Sequence, residues 1–524
     1  MDNVRDLIRS RAEMFSEREY LVFQDTSYTY GELDRRSRQV AYGFSGLGLA
    51  KGDRVAVLVG NRPEFLFVWW ALLRLGAVMV PVNLKLSAGE MTYIVNHAEA
   101  KAVVVGEESA VHFHRLYAQC PSVSYWLGLG RNNNGLAIES FYTLSDDPPD
   151  ADVPIFADDD ALVLYTSGTT GFPKGVIHTH GNYLTTAASF ARTIRLDQHD
   201  RLLTANPLFH VNAQFYSCMG TLLAGATFIL AEKFSASRLW SWTRRYQANK
   251  MVLLLALTTI LYNRPPASDD ADNPVEVVVA GGVPAGCYVD FQRRFDVKLQ
   301  TLYSLTEAPL AVMSPPEEPC VDGAVGVPMD IGGEERNEIR IVDDKLTEVP
   351  RGIAGEIAIR NPAVMKAYLK DAAATRQTLV DGWLRTGDRG TMDERGWIRF
   401  LGRAKDVIRK KGENISAAQV ERVIVQHPAV SETAVVGVRP EDAVGEEEVM
   451  AFVVADRNAA IDWGELIAHC QSQLAAFKVP RFWKSVSELP KNAMNRVVKA
   501  RLIEGDRPEQ RPGTFDRERD GSLE

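Results

Sequence analysis

The sequence predicts an α/β protein: a large part of layered helices and mainly parallel strands, then a smaller unit. Three observations predict it. The 524 residues are too many for one compact core, so at least two domains are expected. Strand-like apolar runs alternate with amphipathic helical stretches, a pattern that favours α/β layers. After Trp397–Leu401 a charged turn, Gly402-Arg403-Ala404-Lys405-Asp406, leads into a new unit that ends near Leu502.

In chain order the strand-like runs are Arg54–Val59, Val78–Val82, Ala102–Val105, Ala161–Leu164 and Val275–Ala280. A helix is expected from Pro63. The stretch Phe65–Val82 is apolar enough to raise a membrane question. Arg74 lies inside it, and Gly76 and Pro81 break it, so a buried helix followed by a core strand is expected instead. The later strands, Glu356–Ile359 and Trp397–Leu401, are shorter. Residues 504–524 are charged and almost without apolar groups, so a disordered tail is expected there.

Composition narrows the function. A net charge of -9 argues against a nucleic-acid partner. Cys120, Cys218, Cys287, Cys320 and Cys470 are scattered without CxxC pairs, which suggests neither a zinc site nor a disulfide framework and makes the reduced cytosol the expected compartment. The start MDNVRDLIRSRAEMF carries acidic residues and lacks the long apolar core of a secretory signal, and stable membrane insertion is not expected.

The most informative stretch is Tyr165–Gly175, YTSGTTGFPKG, launched from the apolar run Ala161–Leu164. Gly168, Gly171 and Gly175 allow backbone to approach phosphate oxygens closely. Thr166, Ser167, Thr169 and Thr170 offer hydroxyl donors, and Lys174 a positive charge. The spacing is not GxxxxGK[ST]. Alone, such a Gly/Ser/Thr-rich segment could equally be a flexible connector.

With its neighbours, this loop resembles the phosphate-binding loop of the adenylate-forming superfamily, which includes acyl-CoA synthetases, aryl-CoA ligases, luciferases and the adenylation domains of peptide synthetases. The likeness runs from Tyr28-Thr29-Tyr30-Gly31-Glu32-Leu33 to Lys499, with motifs in the family's order and spacing. It implies an acyl-CoA synthetase-like fold, with a nucleotide- and acyl-binding domain over residues 1–402. A small mobile α/β domain over 403–503 would turn about Lys405 between two half-reactions. In the first, a carboxylic acid and ATP give acyl-AMP and pyrophosphate; in the second, the thiol of CoA displaces AMP.

The resemblance assigns roles residue by residue. Gly281, Gly282 and Val283 would lie against adenine, and Tyr303 would stack on it. Thr306 would touch the α-phosphate, and Glu307, with Thr166, would hold Mg²⁺. Ser304 stands where the family usually has Gly, which would narrow the acyl channel. Asp388 and Arg403 would bind ribose, an acceptor and a donor for its hydroxyls. His210 would sit near the carboxylate, and Gly412 would face the thiol tunnel. Duller readings stay open: a turn for the glycine pair, a structural histidine, surface ion pairs for Asp388 and Arg403. The run Phe209-His210-Val211-Asn212-Ala213-Gln214 lacks the Asp that amino-acid-activating domains use, so a neutral carboxylic acid is preferred.

One departure bears on mechanism. Where the family reads P-K-x-x-x-G-K, this chain reads Pro490-Lys491-Asn492-Ala493-Met494-Asn495-Arg496. Arg496 keeps the charge of the catalytic lysine but not its compact shape. In the family that lysine leaves the pocket before thiol attack. Two readings are therefore open: a ligase that adenylates poorly but thioesterifies an acyl-AMP supplied by an adenylating partner enzyme, and an ordinary two-step ligase that tolerates Arg496. A non-catalytic binder of nucleotide or acyl group and a luciferase-like oxygenase are further alternatives. The hinge, Gly412 and Glu421 favour CoA.

Overall fold

A computed structural model describes residues 2–129, 136–166, 173–253, 255–262, 264–281, 288–319, 321, 323–403, 407–410, 413–441, 446–456, 460–490, 497, 499–503 and 507–520. The chain forms two compact units. One comprises Met1–Leu84, Val95–Tyr165 and Gly175–Gly402; the other comprises Lys85–Ile94, Thr166–Lys174 and Arg403–Glu524.

The larger unit is built on two sheets. In the 14-stranded sheet, Glu19–Phe23, Thr227–Leu230, Arg201–Thr204, Lys250–Leu253, Val277–Gly281 and Lys298–Tyr303 lie side by side and parallel. Helices between them supply the crossovers that parallel pairing requires. Past Tyr303 the character changes. Val312–Met313 and Ala324–Pro328 continue the sheet antiparallel, and so do Gly355–Arg360 with Glu338–Val342 and Trp383–Met392. Expecting mainly parallel strands thus fails in this second block, because its short connections leave little room for crossover helices. In the eight-stranded sheet, Asp160–Thr166, Val78–Pro81, Arg54–Leu58, Ala102–Val105 and Tyr125–Gly128 pair in parallel.

Local chemistry explains the helices. Tyr30–Gly46 opens with a capping box, in which the Thr29 hydroxyl accepts from the Glu32 N–H and the Glu32 carboxylate accepts from the Thr29 N–H. Pro63–Leu75 starts on a proline suited to the first turn and ends at Gly76, whose φ of 65° few other residues tolerate. All of its residues except Glu64 are buried, and Val78–Pro81 follows as a core strand, as the broken apolar stretch implies. Arg74 is paid for there by Asp34 and Asp150, to which it is ion-paired, and by Ser37. Among the described residues, no helix is long and apolar enough to cross a membrane.

The smaller unit holds a hairpin, Val407–Lys410 with Glu413–Ser416, the helices Ala417–Ile424 and Trp463–Gln473, and a four-stranded sheet. The expected disorder of the tail is not what the structure shows. Thr514–Asp516 is the edge strand of that sheet and pairs antiparallel with Phe482–Ser485. Phe515 stacks on Trp463 at 6.2 Å, and Arg481 grips Asp516 with two bonds of 3.0 Å. A backbone ladder needs few apolar side chains, so composition misjudged this segment.

Candidate active site

Three parallel strands end at residues singled out from the sequence. Arg201–Thr204 runs into Asn206–His210, Val277–Gly281 ends at Gly281, and Lys298–Tyr303 runs into Ser304–Glu307. The carboxyl edge of a parallel sheet is where ligands of open α/β sheets bind.

Asp388 comes from the antiparallel block. The register of Gly355–Arg360 against Trp383–Met392 shifts between Glu356 and Ala358, and Gly387 adopts φ 70°. The irregularity is held by Gly387 N–H donating to Glu356 Oε1 at 2.9 Å and by Asp388 N–H donating to the Thr386 hydroxyl at 3.0 Å. Asp388 is fully buried, and the Tyr303 hydroxyl donates to its Oδ2 at 2.8 Å. The residues expected at adenine and at ribose therefore meet.

Thr306 and Glu307 are gripped through their carbonyls. His178 Nε2 donates to Thr306 O at 2.6 Å, and Met365 N–H donates to Glu307 O at 2.8 Å. Burial pushes His178 down to about 4, against the pull of the Thr306 carbonyl and Asn182, so the ring is neutral and its one proton sits on Nε2. The Tyr368 hydroxyl donates to Glu307 Oε1 at 2.8 Å; burial first, and this carboxylate second, raise the phenol far above its ordinary range. A lone carboxylate such as that of Glu307 would suit Mg²⁺, which keeps phosphate oxygens and water among its ligands. Among the described residues, no three His, Cys, Asp or Glu side chains gather to hold a metal ion.

Gly281 is open. Among the described residues, a Cβ added there would meet nothing nearer than Leu302 O at 3.8 Å, so their packing does not demand glycine, and a flat ring could lie against the backbone. Gly175 differs: its Cβ would stand 2.8 Å from Val163 Cγ1 and 3.2 Å from Tyr165 Cζ, so packing by itself requires glycine there.

His210 is half-buried against Phe209, ring centroids 4.6 Å apart. Its segment is fixed by Asn61, which accepts from Leu208 N–H at 2.8 Å, and by Gln214, whose Nε2 donates to Leu208 O at 2.6 Å. Gln214 lies in a π-helix, Asn212–Cys218, a form often found at functional sites. From the same helix the buried Tyr216 hydroxyl donates to Pro309 O and is hydrogen-bonded by Ser304.

Thr166 closes one strand and Lys174 opens the next, so they are the two stems of the loop. Arg403 ends the strand Ile398–Arg403. Ser167, Gly168, Thr169, Thr170, Gly171, Gly282, Val283, Lys405, Gly412 and Arg496 lie outside the described residues. In the smaller unit, Lys499 is ion-paired with Glu421 at 2.8 Å. Sequence reading missed His178, Tyr368, Asn61 and Tyr216, whose partners are distant in the chain.

Against this geometry, the family model of the AMP-binding enzyme matches residues 8–369, and that of the AMP-binding enzyme C-terminal domain matches 419–495. This chain belongs to the AMP-binding enzyme family. It is 30% identical to a crotonobetaine/carnitine–CoA ligase of Salmonella paratyphi A, over 95% of this chain and 98% of that one. The o-succinylbenzoate CoA synthetase of Bacillus subtilis is similar in structure with a TM-score of 0.84 at 26% identity, covering 97% of this chain and 99% of that one. The amide bond synthetase of Marinactinospora thermotolerans has a TM-score of 0.85 at 27% identity, covering 96% and 99%. With CoA ligases as its curated relatives over nearly their whole length, the chain is an AMP-forming acid–thiol ligase with a large N-terminal and a smaller C-terminal domain.

Proposed function

We propose that this enzyme makes an acyl-CoA thioester from a neutral carboxylic acid by way of acyl-AMP, and that Arg496 weakens the adenylation step while thioester formation survives. The observation that carries the nucleotide reading is the bond from Tyr303 to the buried Asp388, beside the tethered Glu307. On this reading Asp388, with Arg403, orients ribose. Thr306 and the loop from Thr166 to Lys174 hold phosphate oxygens. Glu307, with Thr166, would hold Mg²⁺, which supplies charge neutralisation on the phosphates. His210 and Ser304 border the acyl group, Lys405 is the hinge, and Gly412 guides the thiol. An adenylating partner enzyme would supply the acyl-AMP, and the compartment is the cytosol.

Arg496 supports the split between steps. A planar guanidinium spreads its charge where a compact ammonium is needed beside the attacking carboxylate and the α-phosphate. The test mixes purified enzyme with acid, ATP and CoA, and separately with synthetic acyl-AMP and CoA. Equal turnover in both would remove the split, and Arg496→Lys should raise only the first. A second reading, with an amine as acceptor, is favoured by the likeness to the amide bond synthetase. Amines offered in place of CoA with the same acyl-AMP decide between them.

A further inference from the structure

Asp388 sits on a bulge that one carboxylate of the neighbouring strand keeps in shape. Between the pairs Glu356–Arg389 and Ala358–Arg385, the single residue Ile357 faces three, Thr386, Gly387 and Asp388. Such a bulge takes backbone groups out of the ladder and re-aims the side chains it carries. Other partners take the place of the ladder. The Thr386 hydroxyl donates to Ile357 O at 2.6 Å and accepts from Asp388 N–H at 3.0 Å, while Gly387 N–H donates to Oε1 of Glu356 at 2.9 Å. The second oxygen of Glu356, Oε2, accepts from Nε and Nη2 of Arg385 at 3.1 and 2.6 Å. Both oxygens of this carboxylate are thus engaged by residues on the two sides of Thr386. The Glu356 side chain is only 15% exposed, so water screens these charge-assisted bonds little.

We propose that Glu356 is a positioning residue for ribose recognition: by fastening Gly387 N–H and Arg385 it holds the bulge that aims Asp388 at the two ribose hydroxyls. This rests on the reading of Asp388 as the ribose ligand. Aspartate has a short side chain, so the reach of its oxygens is set by its backbone. Tyr303 holds one of those oxygens, Oδ2, but makes no bond to the backbone of the bulge that an observed distance records. A vicinal diol presents two donors at a fixed spacing, and a carboxylate meets both only when it is correctly turned. Glu356 does this without touching the nucleotide, which separates its duty from that of Asp388.

The test is calorimetric titration of the full chain with AMP and, separately, with 2′,3′-dideoxy-AMP, alongside thermal unfolding. The wild type should prefer AMP by about tenfold or more, the size expected for hydrogen bonds to a carboxylate. Glu356→Ala should weaken AMP binding about tenfold and dideoxy-AMP binding by less than about twofold, so that the preference collapses. Glu356→Gln is nearly isosteric, and its amide oxygen can still accept from Gly387 N–H, so it should lose only about threefold of the preference. Should Glu356→Ala fail to fold, Glu356→Gln decides alone. In an Asp388→Ala background, Glu356→Ala should weaken AMP no further, because both act through one carboxylate. An unchanged preference in Glu356→Gln, equal losses for the two nucleotides, or a further loss in the double variant would each overturn the proposal. A wild type without preference for AMP would sink the ribose reading itself, a result visible before any variant is made.

Discussion

The hydroxyl of Tyr303 donates to Oδ2 of Asp388 across 2.8 Å, joining the end of a parallel strand to a kinked antiparallel one. The bond gives Oδ2 of a fully buried carboxylate a donor and fixes where its oxygens point. Tyr303→Phe should cost about 1–3 kcal/mol of stability, because a buried acceptor loses its donor. AMP affinity should fall with it. Denaturant titration and calorimetry read the two effects, and retention of both would mean that the bond holds nothing.

Lys499 is the residue nearest in sequence that could stand in for the missing lysine, but it is engaged with Glu421 in the smaller unit. Glu421 in turn accepts from Val435 N–H at 2.7 Å, so the pair ties helix to strand. Lys499→Gln should cost about 1 kcal/mol or less, as partly exposed ion pairs do. Pyrophosphate release should stay unchanged. Its collapse in that variant would make Lys499 the substitute for the family's lysine.

Acid should loosen the larger unit through two buried histidines. His178 and His180 are both held neutral by burial and titrate near 4, below the ordinary 6.5. The sign follows: the unfolded chain takes up protons on these rings as pH falls below about 6.5, while the folded chain refuses them until about 4. The stability they contribute is whole at neutral pH and drains over that window, by roughly 3 kcal/mol for each ring. In His178→Gln, where an amide replaces the donor to Thr306, the midpoint of unfolding should fall less steeply between pH 6.5 and 4. An unchanged slope would show that His178 is not the group responsible.

Strands and turns were legible because their signals are local. Apolar runs fixed Ala102–Val105 to the residue, and the motif around Tyr303–Glu307 placed its residues on one sheet edge. What sequence reading missed depends on pairs far apart in the chain. Tyr368 reaches Glu307 across 61 positions and His178 reaches Thr306 across 128, and only the folded sheets bring them together. A lone polar residue in a buried strand carries no periodic signal. The tail failed for a related reason, since Asp516 is held by Arg481 rather than by apolar burial. Arg481→Ala should cost about 1–3 kcal/mol by removing the cation paired with that buried carboxylate and leaving it the Glu518 N–H, as the unfolding midpoint of the smaller unit would register.

Two glycines give a sharper separation of fold from function. At Gly281 an added methyl group meets, among the described residues, only Leu302 O, at ordinary contact distance, and φ is not left-handed. Gly281→Ala should leave stability within about 0.5 kcal/mol of wild type. If adenine lies there, the methyl group takes the space of the ring, and AMP affinity should drop by about tenfold or more. At Gly175 the same change drives a methyl into Val163 and Tyr165, so Gly175→Ala should destabilise by about 1–3 kcal/mol. Thermal unfolding and AMP titration of the two variants should therefore move in opposite patterns. A destabilised Gly281→Ala with intact AMP binding would place adenine elsewhere.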